Sequence, residues 1–280
     1  MYHLFKAEIV KLLKSKSFLI CCIVIVGLSC VLVGSYAMMK EMYSSEAMTQ
    51  VMEQVGSEGQ SGMQEEMQKE LGMISDMTGQ NLVELAFTGN TIQIMLAVLV
   101  GIFVCSEFSG GAMKNIASRG FSRVKIYAVK YIVSIFGGEL LAVVCVSVMA
   151  LGGSLLWGFG DISGSFWGDF AKFLLIQFLL NAALAGFMVC ISFILRNVGI
   201  SIAANIGVLM FATLGLTLID LIIDSDSFSV GDYWIGNLIN QASTFALSNS
   251  VIERSVIVSL VMFVLSFVVG ALFFKNSDVK

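Results

Sequence analysis

The chain alternates long apolar stretches with short polar ones. Uncharged apolar runs cover residues 17–39, 85–106, 173–195, 197–219 and 255–274, and a sixth at 131–157 is broken only by Glu139. Each reaches the roughly 20 residues that carry a helix, at about 1.5 Å per residue, through a hydrocarbon core about 30 Å thick. A helix also satisfies its own backbone polar groups in lipid. The pattern predicts an all-α membrane protein with six transmembrane helices. An even number of spans puts both termini on one side, and Arg196 and Asn197 leave only a very tight turn between the fourth and fifth.

The polar segments have their own periodicities. In residues 4–16, Phe5, Ile9, Leu12 and Leu13 share one helical face while Glu8, Lys11, Lys14 and Ser15 share the other. This predicts an N-terminal interfacial amphipathic helix with its lysines toward anionic lipid headgroups. Residues 40–84 form a polar insertion with two apolar stripes, Met48, Val51, Met52, Val55 and then Met63, Met67, Leu71, Ile74, hinged at Gly56–Gly62. The expectation is an extracellular helical hairpin between spans one and two. Residues 220–250 are acidic first, then amphipathic around Tyr233, Trp234, Ile235, Leu238 and Ile239; an interfacial loop and a re-entrant hairpin both fit.

Composition agrees with the pattern. Of 280 residues, 57% are hydrophobic and only 13% charged, and there is no proline. Soluble domains carry about 25% charged residues, so a soluble enzyme and a disordered chain are both excluded. Charge placement sets the orientation. With the N-terminus inside, 12 of the 16 lysines and arginines fall in inner segments, whereas 16 of the 20 acids fall outside. The positive-inside rule then gives N-in, C-in. All six cysteines lie inside apolar runs and there is one histidine, so no metal site is expected. The methionine-rich stretch from Met38 to Met77 lacks the adjacent histidine or cysteine that a copper relay would add. It reads as an adaptable apolar face.

The inner loop, residues 107–130, carries the most specific pattern. An acid at the membrane exit, Glu107, is followed by Gly110-Gly111, a short helical piece from about residue 112 to 118, the turn Arg119-Gly120, and Ser122 capping the next span. The segment resembles the coupling loop of ABC-2 type permeases of the bacitracin- and lantibiotic-immunity kind, matching at Glu107, Gly111, Lys114, Ser122, Arg123 and Lys130. Where that family has proline before Ser-Arg, this chain has Gly120, so a more pliant turn is expected. The resemblance implies a permease subunit of an ATP-binding cassette exporter in a bacterial plasma membrane. It implies two copies of a separate ATP-binding subunit that hold the ATP and magnesium, together with a second permease copy or homologous permease. Met113, Lys114, Ile116 and Arg119 would receive the push of the ATPase, with His3 and Lys6 as a second contact. Glu107 would hold the loop by pairing with a nearby base such as Arg123. The cargo would be an amphipathic substrate, peptide antibiotics among them.

Intrinsic chemistry is not expected. There is no phosphate-binding Gly-x-x-x-x-Gly-Lys-Ser/Thr, no zinc-protease or nucleophile-elbow motif, and no nucleic-acid partner or bound cofactor is anticipated. Gly158-Phe-Gly-Asp161 resembles an intramembrane aspartyl protease motif but lacks its partner Tyr-Asp. Glu139 is the one intramembrane acid. It is a pathway candidate together with Asn181 and Asn205, or else a structural acid bonded to Asn181, Asn205 or Gln177. An ion-coupled transporter or channel is the alternative function, although such proteins show several intramembrane charges and internal repeats.

Overall fold

The computed structural model describes residues 2–43, 77–113, 120–160, 162, 164, 166–223 and 229–277. The elements are α1 (Tyr2–Lys14), α2 (Lys16–Tyr43), α3 (Gly79–Thr88), α4 (Thr91–Ser109), α5 (Arg123–Trp157), α6 (Phe166–Leu195), α7 (Val198–Ile223), a 3-10 turn (Gly231–Tyr233), α8 (Ile235–Gln241) and α9 (Asn249–Asn276). Six of them, α2, α4, α5, α6, α7 and α9, are long and apolar enough to cross a membrane. The chain is an all-helical, multi-pass membrane protein over these residues. The hairpin expected in 40–84 lies outside them from residue 44 to 76.

α6 is the centre of the bundle. Residues all round it are buried, and α4, α5, α7 and α9 surround it. α9 lies closest and presents a stripe of small residues, Ser255, Ser259, Ser266 and Gly270, as its buried face. Without a hydrophobic drive between helices in lipid, such close approach supplies the packing energy. Tyr131 of α5 uses it on both sides. Its hydroxyl bonds Ser266 Oγ at 2.8 Å and the Phe263 carbonyl at 3.0 Å, and lies where a Cβ at Gly186 of α6 would stand. Exposed apolar residues on α2, α7 and α9, such as Val31, Phe211 and Val261, are then the lipid face.

Several boundaries differ from the sequence reading. The run at 85–106 is two helices, because Gly89 and Asn90 (φ 55°) break it and the span begins at Thr91. Hydropathy cannot see the break since neither residue is charged, yet asparagine tolerates the left-handed conformation. α5 begins at Arg123 rather than 131, and at 35 residues it is about 50 Å long, well beyond a hydrocarbon core. α6 and α9 likewise start earlier than 173 and 255. Ser122 occupies the N-cap position of α5 but makes no side-chain cap bond. Ser15 does cap: its hydroxyl accepts from Phe18 N at 3.1 Å while its own amide closes α1 on Leu12, so α1 turns directly into α2.

The two ends of the bundle are closed differently. At one end lie α1, loop 110–122, the α6–α7 turn and the C-terminus of α9; this is the terminal end. At the far end, residues 229–248 fold inward as a cap. Ile235, Leu238 and Ile239 of α8 are fully buried, so this segment is a packed lid rather than an interfacial loop. Side-chain bonds tether it to the helices around it. Asp220 accepts from the amides of Val230 and Gly231, Trp234 Nε1 donates to Thr213, Gln177 donates to the Ile239 carbonyl, and Glu84 accepts from Phe245 N at 2.6 Å.

Candidate functional site: an ion-pair ring at the terminal end

Glu8 and Lys11 stand three residues apart on α1, Glu107 lies in the last turn of α4, and Lys130 lies two turns into α5. The fold brings these four side chains together. Lys130 Nζ is 2.5 Å from Glu107 Oε1 and 2.7 Å from Glu8 Oε2, and Lys11 Nζ pairs with the same Glu107 oxygen. α1 thus contributes an acid to the lysine of α5 and a lysine to the acid of α4, while Glu107 and Lys130 close the ring. Lys130, Glu107 and Glu8 are 1%, 2% and 5% exposed, and only Lys11 reaches the surface. Lys130 Nζ also sits 3.9 Å from the centroid of the Phe103 ring, a cation–π contact in a dry setting.

The ring carries two negative and two positive charges. Desolvating an ion costs several kcal/mol even after relaxation, so such a group persists only when every charge has its partner. Burying Glu8 corrects the expected wet face of α1: Glu107 is shared between two lysines, and Glu8 gives the buried Lys130 a carboxylate of its own. The pairing expected between Glu107 and Arg123 is corrected as well. Arg123 is seven residues, about 10 Å along the helix, from Lys130. It donates instead to the carbonyls of Lys275 and Ser277 at the end of α9. There it meets Arg196, which donates to Ser277 Oγ and lies 5.5 Å from the Phe108 ring and 5.9 Å from that of Phe273. Two arginines at a helix C-terminus suit its partial negative charge.

Loop 110–122 therefore springs from two anchored stems. Glu107 commits the end of α4 to the ring, and the next residue, Phe108, commits it to an aromatic group with Phe193 and Phe274. Glycines bracket the loop at positive φ, Gly111 at 69° and Gly120 at 81°, where an L side chain is strained. Proline could not adopt the Gly120 backbone, since its ring fixes φ near −65°. Met113 is buried and anchors the loop's first turn. Lys114, Ile116 and Arg119 lie outside the described residues. His3 and Lys6 are on the exposed arc of α1, away from the ring.

A family model described as "Protein of unknown function (DUF2705)" matches residues 62–280. The chain belongs to the DUF2705 family. The match takes in Glu107, Lys130 and the whole loop but begins after α1, so Glu8 and Lys11 lie outside the matched part of this DUF2705 protein. No curated protein matches the chain.

The intramembrane candidates are not brought together. Glu139 is half-buried on α5, and no hydrogen bond joins it to Asn181, Asn205 or Gln177; its Oε2 is buried without a partner among the described residues. Asn181 donates to the Gln177 carbonyl of its own helix. Asn205 donates to Ser192, whose hydroxyl is 2.6 Å from that of Ser201, so this trio staples the α6–α7 hairpin just above its turn. Among the described residues of this DUF2705 chain, no group of three or more His, Cys, Asp or Glu is placed to hold a metal. Sequence reasoning missed Glu8, Lys11 and Arg196 as site residues. An acid and a lysine three apart on an amphipathic helix, and an arginine in a minimal turn, were the available signals.

Proposed function

We propose that this chain is the membrane-spanning permease subunit of an ATP-driven exporter of the ABC-2 type. In this reading the terminal end faces the cytoplasm of a bacterial cell, both termini are inside, and α1 lies in the inner interface. Separate ATP-binding subunits engage loop 110–122 and the exposed arc of α1, a second permease completes the assembly, and the cargo is amphipathic. The observation that carries the reading is the mounting of the loop. A short glycine-bracketed segment arises from two helix ends, each locked into the bundle by a buried ion pair or an arginine clamp. A load on such a loop is passed to the helices rather than absorbed by slack. The excess of lysine and arginine at this end supports the orientation.

The test is to purify the chain with whatever ATPase accompanies it and to measure hydrolysis for wild type, Glu107→Gln and Met113→Ala. Altered ATP turnover with assembly intact supports the exporter; absence of any associated ATPase under all conditions refutes it. The competing ion-coupled transporter or channel draws on the unpartnered oxygen of Glu139. ATP-independent ion flux in proteoliposomes that Glu139→Gln abolishes would select that reading instead.

A further inference from the structure

The ring includes more than the loop's own stems, and its geometry assigns a task to Lys130. Lys130 and Glu107 each pair with two different helices; Lys130, from its place on α5, reaches Glu8 on α1 and Glu107 on α4, and it is the buried cation of the four. Lys11 serves only Glu107. The apolar side of α1 is thin by comparison. Leu12 is its one fully buried apolar residue, set against Gly137, while Val10 and Leu13 are 43% and 46% exposed. Leu4, Phe5 and Ile9 pack only partly buried against the core, so the buried ion pairs are what fixes the position of this 13-residue helix.

We infer that Lys130 is a positioning residue: it is the shared counter-ion that docks α1 onto the stems of loop 110–122, so that α1, the end of α4 and the start of α5 move as one body. α1 runs into α2 through the single residue Ser15, which closes the first helix and caps the second. A displacement of the loop is then delivered through Lys130 to α1 and onward to α2, a span that rests on α5 and, over a smaller area, on α4, with much of its remaining face open to lipid. The inference deepens the exporter reading by naming the route from loop to first span. It depends on that reading only for what pushes the loop.

The experiment needs no ATPase, so its failure is distinct from failure of the exporter reading. The full chain is placed in bilayer discs of phosphatidylcholine and phosphatidylglycerol, and amide exchange of residues 2–14 is followed by mass spectrometry, with α4 and α5 as the control for folding. Lys130→Met should raise exchange across α1 by about tenfold or more while the spans keep their protection. The triple variant Glu8→Gln, Glu107→Gln, Lys130→Met buries no unpaired charge, and should return α1 to within about threefold of wild type. Lys125→Met, at an exposed position one turn earlier, should change nothing. Should Lys130→Met not fold, Glu8→Gln alone, which cuts only the α1 leg, should raise α1 exchange by about threefold. Wild-type exchange in the variants that fold overturns the inference. So does a triple variant as exposed as Lys130→Met, because that result would mean Lys130 acts through the packing of its stem and not through its charge.

Discussion

The terminal and far ends of the bundle solve the same problem, closing a set of apolar helices against water, with opposite chemistry. The terminal end uses full charges buried in a ring of four. The far end uses aromatic packing, Phe173 against Phe87 and Phe245, together with single carboxylates, Asp220 and Glu84, that accept from backbone amides; its ion pairs, Asp232 with Arg254 at 2.6 Å and Asp169 with Lys172 at 3.1 Å, stay partly exposed. Buried charges penalise every misplacement, because a partner withdrawn leaves an ion stranded. Aromatic contacts tolerate small slips. The terminal end is therefore built for fixed geometry and the far end for closure.

Substituting glutamate by glutamine at both ends is the strongest way to break this comparison. At the terminal end, Glu107→Gln strands part of the charge of Lys130 and Lys11 and should cost roughly 3–5 kcal/mol of stability in detergent. Exchange at α1 should respond first. Trp157, Trp167 and Trp234 all lie at the far end, so tryptophan fluorescence should report the loss only at global unfolding. An intermediate effect is expected at the bundle centre. Gly186→Ala places a methyl group on the Tyr131 hydroxyl and should cost about 1–3 kcal/mol. Tyr131→Phe in the same chain should recover part of that, as read from unfolding midpoints; no recovery would mean the crowding lies elsewhere. At the far end, Asp232→Asn should cost no more than about 1 kcal/mol, and the loss should shrink in high salt, whereas the ring's contribution should not.

The smallest effect tests pH. Burial pushes the Glu84 carboxyl above its ordinary value, and the amide of Phe245 offsets this in part. The folded state then holds its proton more firmly than the unfolded chain does. The stability Glu84 contributes is fully present below the unfolded value and declines as pH rises through the window up to the raised folded value. Glu84→Gln keeps an acceptor for Phe245 without the charge. It should stabilise by a few tenths of a kcal/mol at neutral pH, and the gain should vanish in acid. A thermal-unfolding series against pH gives the sign, and a loss at neutral pH would contradict it.

The spans were legible because lipid imposes a length, and length survives in sequence as uncharged runs. Their ends were not. The Gly89-Asn90 break carries no charge, so one run concealed two helices. Lys130 interrupts no helix, yet counting by charge assigned it to the loop. Glu107 was singled out as an acid on the basic side, but its partners are 23 residues away at Lys130 and 96 at Lys11. No local periodicity encodes such pairings. Glu139, Asn181 and Asn205 were conspicuous for the same reason, polar groups in apolar runs. Two of them turn out to bond within a helix or across a tight hairpin.

The distance along the chain between ring members also bears on how the protein is made. Lys11 is synthesised 96 residues before Glu107, and Lys130 follows later still. At roughly 5–20 residues per second, α1 waits on the order of 5–20 s for its counter-ions to emerge. During that interval Glu8 and Lys11 must stay hydrated at the membrane surface, with α2 already inserted behind them. α1 can thus take its place only after α4 and α5 have been made, although it precedes both in the chain.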